Sequence, residues 1–381
     1  LFKKRNLKVL LTAPTGRASK RLAETTGEEA KTIHRLLQFQ HKAIGGLTFY
    51  FNESNPIEAD VVIVDEISMV DTFIFNALLK ALPDGTKLIL VGDKDQLPSV
   101  SPGNILADII DSQSISVIKL SNIYRQESGS LIIENAYRIN NNIMPITYDL
   151  EKQFALFNVN TDEEIPRALL ESFTYLSKQC ENESDDIQTL SPLKKSEVGV
   201  ERINELLQSW FNPNPDENIT YGIKSGDTVF RQGDRVMQTV NNYDIDWVRP
   251  NGEKGVGIFN GEIGYIIEVD YSANELSVQF DESRICRYNK IDLLQLSLAY
   301  AVTIHKSQGS EFSAIIILVP RSATFFFTRK ILYTAVTRAK RSVALIGNKA
   351  IIERVVRQVR NDERYTLLKE LIWDDNSKRS K

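Results

Sequence analysis

The chain has 381 residues, 42% hydrophobic and 25% charged, which suits two or three domains with real cores and excludes collagen-like, disordered and coiled-coil compositions. Lys and Arg number 46 against 50 Asp and Glu, so the net charge of −4 excludes a general polycation but leaves room for a local basic stripe on nucleic acid. The two cysteines, Cys180 and Cys286, stand far apart, which excludes a disulfide framework or a thiolate zinc site and fits a reducing cytoplasm.

No apolar stretch approaches the roughly 18 residues of a membrane span, so no membrane partner is expected. Residues 1–6 lack the apolar core of a signal peptide. They open without Met on what reads as the end of a helix, and further residues are expected upstream.

From residue 7 to about 120, short apolar runs alternate with helical patterns. Residues 8–11, 61–64, 87–91 and 117–120 are predicted buried parallel strands, and 17–24 and 72–82 are predicted helices. This rhythm indicates an α/β layer with its chemistry at the carboxyl ends of the strands. Residues 39–42 and 47–51 flank Ile44-Gly45-Gly46 and read as a two-stranded hairpin inserted in that layer.

Beyond Arg125 the pattern predicts a helix at 131–140, a strand at 187–190 and a helix at 198–211, ended by a Pro/Asn breaker. The texture then turns all-β, with short strands at 234–239, 264–269, 276–280 and 284–288, the pattern of a small barrel. From residue 296 the α/β rhythm returns, with a strand at 314–319, a helix at 330–339, a strand at 342–346 and a tail at 374–381 expected to fray. The expected domains are 1–125, carrying the hairpin insertion at 38–58, and 126–381, carrying the barrel at about 231–290.

The strongest local signal is Val61-Val62-Ile63-Val64-Asp65-Glu66. A hydrophobic strand ending in adjacent carboxylates puts Asp65 where it can hold Mg²⁺ and Glu66 where it can orient and deprotonate an attacking water. A strand running into a polar turn is common in any α/β protein, so this run alone decides nothing. A second strand end repeats the logic: residues 88–91 run into Gly92-Asp93-Lys94-Asp95-Gln96, where Gly92 allows a tight turn and the Gln96 amide can sense a γ-phosphate. Arg125 after Ile123-Tyr124, and Arg338 on the predicted helix that begins at 330, are candidate fingers for phosphate charge, although most arginines only solvate a surface.

Residues 301–311 crowd Thr303, His305, Lys306, Gln308, Gly309 and Glu311 into one strand-to-helix corner, suited to face a phosphate backbone and a nucleotide together. A lone His305 is more often structural, and no metal-ligand spacing surrounds it. Near the start, Pro14, Thr15 and Arg17 form a corner that can hold nucleic-acid phosphates, although a helix cap would explain Thr15 equally well. The spacing G-x-x-x-x-G-K-[ST] of a phosphate-cradling loop occurs nowhere in the chain.

In this order the segments resemble the motifs of superfamily-one DNA helicases, most closely the RecD-like group that includes the exodeoxyribonuclease V alpha subunit. Residues 13–18 with Thr32-Ile33-His34-Arg35-Leu36-Leu37 are similar to motif Ia, 65–71 to motif II, 92–98 to motif III, 124–126 to motif IV, 301–311 to motif V and 333–340 to motif VI. Six ordered motifs over nearly the whole chain are far more specific than any one.

The resemblance implies two RecA-like P-loop NTPase-type domains with ATP and Mg²⁺ between them, a β-hairpin pin at the duplex junction and an SH3-like barrel in the second domain. It implies Asp65, Glu66, Gln96, Arg125 and Arg338 as catalytic residues, with Gly309 and Glu311 on the nucleotide side and Asp65 as the metal ligand. Pro14, Thr15, Arg17, His34, Thr303, His305 and Lys306 would touch DNA. It also implies 5′-to-3′ movement on single-stranded DNA in recombination or repair, with nuclease or helicase subunits as conceivable partners. The family's Walker A loop would precede Leu1, so the chain alone is expected to bind ATP poorly and hydrolyse almost none. Two alternatives stay open: a non-catalytic DNA-binding scaffold, and the helicase part of a conjugative relaxase.

Overall fold

In the first unit, β-branched and Leu-rich runs form parallel strands and the periodic segments between them form helices. Its elements are β1 (Val9–Ala13), α1 (Gly16–Thr26), β2 (Ala30–Thr32), α2 (Ile33–Leu36), β3 (Phe39–His41), β4 (Leu47–Phe49), β5 (Val61–Val64), α3 (Thr72–Ala81), β6 (Lys87–Leu90) and α4 (Ile105–Asp111). The computed structural model describes residues 1–41, 47–120, 130–147, 153–178, 187–216, 221–280, 283–358 and 364–379. Strands run β2-β1-β5-β6 in one parallel sheet. Val62 and Val64 of β5 meet Ile67, Ile74, Phe75 and Leu78 in its core. Side-chain caps start α1 and α3: Thr15 accepts from Ala18 N–H at 3.2 Å, and Asp71 from Ile74 N–H at 2.8 Å.

β3 and β4 pair antiparallel with Phe39 opposite Phe49, as the hairpin expectation required. The Gly45-Gly46 turn lies outside the described residues. The strand expected at 117–120 does not form. Ile118 and Leu120 are 88% and 87% exposed, and β propensity without a burying face or a ladder partner does not make a strand.

The second unit, Gln126–Gln358, is divided from a first unit made of Leu1–Arg125 and Val359–Lys381. It begins with α5 (Leu131–Asn140), β7 (Phe154–Asn158), α6 (Ile165–Ser177), β8 (Ile187–Ser191) and α7 (Val200–Phe211). An all-β run comes next: β9 (Ile223–Ser225), β10 (Thr228–Phe230), β11 (Arg235–Gln238), β12 (Asn242–Val248), β13 (Lys254–Ile258), β14 (Ile263–Asp270), β15 (Glu275–Phe280), β16 (Ile285–Tyr288) and β17 (Leu296–Leu298). Then come β18 (Ala301–Thr303), β19 (Phe312–Val319), α8 (Arg329–Val336), β20 (Ala339–Gly347) and α9 (Lys349–Arg357).

Five of these strands make a parallel sheet, β18-β8-β19-β20-β7, through which β19 runs almost wholly buried. Parallel strands covered on both faces read as continuous apolar runs, which is why Ile315-Ile316-Ile317-Leu318 was legible. The all-β insertion is a seven-stranded antiparallel sheet, β13-β12-β16-β15-β14-β11-β17, with β9 and β10 paired separately. Strands β12 and β13 escape apolar patterning because Asp244, Asp246, Lys254 and Gly255 interrupt them. Cys286 is buried within β16, and burial pushes its thiol up to about 12, so it is an inert packing group.

Buried Asp234 ties the lead into β11 to the end of α7 and to Tyr300, between β17 and β18. Its carboxylate accepts from Gln208 Nε2 at 2.6 Å, Arg231 N–H at 2.7 Å, Asn212 Nδ2 at 2.8 Å and the Tyr300 hydroxyl at 3.0 Å. Burial raises its pKa, and these four donors oppose the rise.

The chain end departs from the boundary expected at 381. Residues 359–381 belong with the first unit, where α10 (Leu368–Arg379) lays Leu368 and Ile372 against the first core. Residues 374–379, expected to fray, continue that helix, since anchoring two apolar side chains one turn apart carries the polar turns beyond them.

Candidate functional site

In the first unit the site grows from the carboxyl ends of β5 and β6. Asp65 N–H donates to the Thr12 carbonyl at 2.9 Å and Val91 N–H to Val64 at 2.8 Å, so the ladder still holds the chain where the carboxylates begin. Asp65 Oδ1 accepts from Glu66 N–H at 2.9 Å. Glu66 stands at φ 51°, ψ 39°, left-handed geometry for a residue with a Cβ, and Ile67 N–H returns at once to the Val91 carbonyl at 3.0 Å. Such a conformation costs about 1–3 kcal/mol and persists only where the surroundings enforce it. Both carboxylates are half-buried.

The loop after β6 lies beside this corner. Gly92 is needed for close approach rather than for the tight turn expected of it, since a Cβ there would lie 2.9 Å from Ile67 Cγ2 and its φ is not left-handed. Asp93 organises the turn after it, accepting from Asp95 N–H at 2.9 Å and from Gln96 Nε2 at 3.3 Å. Gln96 is 9% exposed, so its amide is held rather than free in solvent.

Asp65 offers the hard carboxylate oxygen that Mg²⁺ prefers. Among the described residues no group of three or more His, Cys, Asp or Glu gathers. Pro14, Thr15 and Arg17 sit at the end of β1 and the start of α1, where the Thr15 hydroxyl oxygen caps the helix by accepting and its O–H can still donate. The His34 ring packs at 5.9 Å from Phe39 and 6.1 Å from Phe49, at the base of the hairpin. Burial lowers its pKa, with Asp71 opposing, so it is neutral at neutral pH.

In the second unit β18 ends at Thr303, whose Oγ1 accepts from Lys306 N–H at 3.3 Å. His305 and Lys306 face outward on the short turn after it, and surrounding protein lowers both pKa values, with Lys194 adding to the effect on Lys306. Gly309 takes φ 73°, which only a residue without Cβ adopts at little cost. Glu311 lies 3.7 Å from Lys340.

Arg338 is not on the helix, as expected, but two residues past the end of α8, at the lead into β20. It is 2% exposed, and donates through Nε to the Thr334 carbonyl at 3.2 Å and through Nη1 to Ser310 at 3.3 Å. Sequence reasoning missed this burial, because nothing in Thr337-Arg338-Ala339 marks an interior arginine. Arg125, with the whole motif IV stretch, lies outside the described residues.

Matches to known families and relatives run along most of the chain. A model described as the ATP-dependent RecD-like DNA helicase SH3 domain matches residues 203–280. The chain belongs to the RecD-like superfamily-one helicase group. Models of an AAA domain and of a UvrD-like helicase C-terminal domain match residues 1–102 and 298–346 of this RecD-like chain. The ATP-dependent RecD2 DNA helicase of Deinococcus radiodurans is 33% identical over 334 residues, 88% of this chain and 42% of that protein. RecBCD enzyme subunit RecD of Mycolicibacterium smegmatis is 26% identical over 389 residues, 92% of this chain and 63% of that protein. The RecD-like chain thus spans less than two thirds of either relative. In fold it is similar to Bacteroides Pif1 bound to ssDNA, with a TM-score of 0.52 at 19% identity over 100% of this chain and 89% of that one. The Candida albicans Pif1 helicase gives 0.51 at 17% identity, over 99% and 90%. Among the described residues no helix is long and apolar enough to cross a membrane.

Proposed function

We propose that this chain carries most of the motor of an ATP-dependent DNA helicase that moves 5′-to-3′ on single-stranded DNA in recombination or repair. The observation that carries the reading is the Asp65–Glu66 corner, two half-buried carboxylates, the second on a left-handed backbone, beside the Gln96 loop. Strain kept at a paired-carboxylate strand end suits a preorganised water-activating site.

In this reading Asp65 binds Mg²⁺, which supplies charge neutralisation on the phosphates of ATP. Glu66 orients the attacking water and takes its proton, and Gln96 reports the γ-phosphate through its amide. Arg338 brings positive charge from the second unit when the units close, Arg125 adds its own from the end of the first, and reopening moves the grip along the strand. Pro14, Thr15, Arg17 and His34 from one unit, and Thr303, His305 and Lys306 from the other, hold the track by sequence-independent contacts. Because His34 is neutral, it contributes stacking rather than charge. The hairpin separates the duplex, and nuclease or helicase subunits are partners to be sought.

The test is single-stranded-DNA-stimulated ATP hydrolysis by the full-length gene product. Glu66→Gln should abolish turnover while sparing nucleotide binding, and retained turnover refutes the assignment. The alternative is a DNA-binding scaffold without turnover. A full-length product that binds single-stranded DNA yet hydrolyses nothing would establish that alternative. The 381 residues by themselves should hydrolyse almost no ATP.

A further inference from the structure

The segment before α10 reaches back to the loop that carries Gln96. Arg364 donates through Nη2 to the Ser99 carbonyl at 2.6 Å, and through Nη1 to Ser101 and Gly103 at 2.8 Å each. One guanidinium thus gathers three carbonyls from five consecutive residues. Residues 92–104 form no helix or strand, so side chains must supply the order that a ladder would give. Asp93 holds the start of this loop through Asp95 and Gln96. Thr72 N–H holds its end, donating to the Pro102 carbonyl at 3.0 Å. Gly103 lies so close to Thr72 that a Cβ would collide with its hydroxyl. Arg364 spans the middle, three residues after Gln96 and onward.

Arg364 is not the anchor of its own segment. Leu368 and Ile372 pack on the core, and the Thr366 hydroxyl donates to Asp108. The clamp can therefore be removed without undocking α10. An arginine suits the task because its planar fork serves several acceptors at once, whereas a lysine ammonium serves them as a single point.

We propose that Arg364 is a positioning residue for Gln96: by gathering the Ser99, Ser101 and Gly103 carbonyls it fixes the phosphate-sensing loop, and it makes the carboxyl-terminal strap part of the nucleotide site. This rests on the ATPase reading of the Asp65–Glu66 corner. The chain enters the second unit after Arg125 and returns to the first at Val359, so the strap is its second covalent connection to that unit.

The test is a double-mutant cycle in the full-length gene product, using Arg364→Ala, Gln96→Ala and the pair. Misplacing a group in this way lowers kcat by about 10- to 100-fold. KM for ATP and ADP affinity should hold, and Arg364→Ala should add nothing once Gln96 is gone. Arg364→Lys should recover only part of the loss, and it replaces the alanine variant should that fail to fold. Additive losses, or equal weakening of ADP and ATP-analogue binding, overturn the proposal and leave a structural clamp. A wild-type protein without DNA-stimulated turnover overturns the helicase reading and this inference with it.

Discussion

Arg338 Nη1 donates to the Ser310 carbonyl at 3.3 Å, so the arginine that leads into β20 and the turn beyond β18 form one hydrogen-bonded piece of the second unit. Phe312 N–H closes the same ring by donating to the Arg338 carbonyl at 2.9 Å. The candidate finger is thereby fixed to the segment that carries Thr303 to Glu311.

Removing the guanidinium should act twice. Arg338→Ala leaves buried carbonyls short of a donor, at about 1–3 kcal/mol, which a urea titration reads. In the full-length product both Arg338→Ala and Arg338→Lys should lose roughly 10³-fold or more in kcat, because a finger's charge must arrive in a fork. Wild-type turnover in Arg338→Lys would reject the transition-state role.

At Glu66 the backbone and the chemistry make separable predictions. Alanine and glycine both remove the carboxylate, so both should stop hydrolysis. Only glycine accepts φ 51° without a Cβ penalty, and Glu66→Gly should be more stable than Glu66→Ala by about 1 kcal/mol. Thermal unfolding decides; equal melting temperatures would mean the conformation is unstrained.

Burial sets the sign of the acid response at His34. Its folded pKa lies below the ordinary 6.5, so its contribution to stability is complete above 6.5 and is lost as pH falls below that value toward the folded pKa. His305 is shifted the same way and adds to the slope. Denaturant midpoints measured between about pH 7.5 and 5.5 should fall less steeply in His34→Phe than in wild type. An unchanged slope would show that His34 titrates normally.

Asp234→Asn tests whether donors or desolvation rule a buried carboxylate. The new amide nitrogen must face Arg231 N–H and Gln208, or else displace Asn212 from the Gln232 carbonyl that it also holds at 2.9 Å. A loss of about 1–3 kcal/mol is expected in spite of the raised pKa. A higher melting temperature in the variant would mean that relief of desolvation outweighs the four hydrogen bonds.

What the residues determined by themselves was local. The apolar runs that became β5 and β19, the carboxylates after Val64, the hairpin about Phe39 and Phe49 and the order of the motifs stem from periodicity and side-chain chemistry, which act over a few positions. Tertiary structure decided what needs partners distant in the chain. It left Val117 to Leu120 outside the sheet, enclosed Arg338, gathered four donors on Asp234 and brought Arg364 onto the Gln96 loop, more than 250 residues before it. A strand or a buried charge is stable only when another segment supplies its acceptors and covers its faces, and one-dimensional pattern does not say which segment that is.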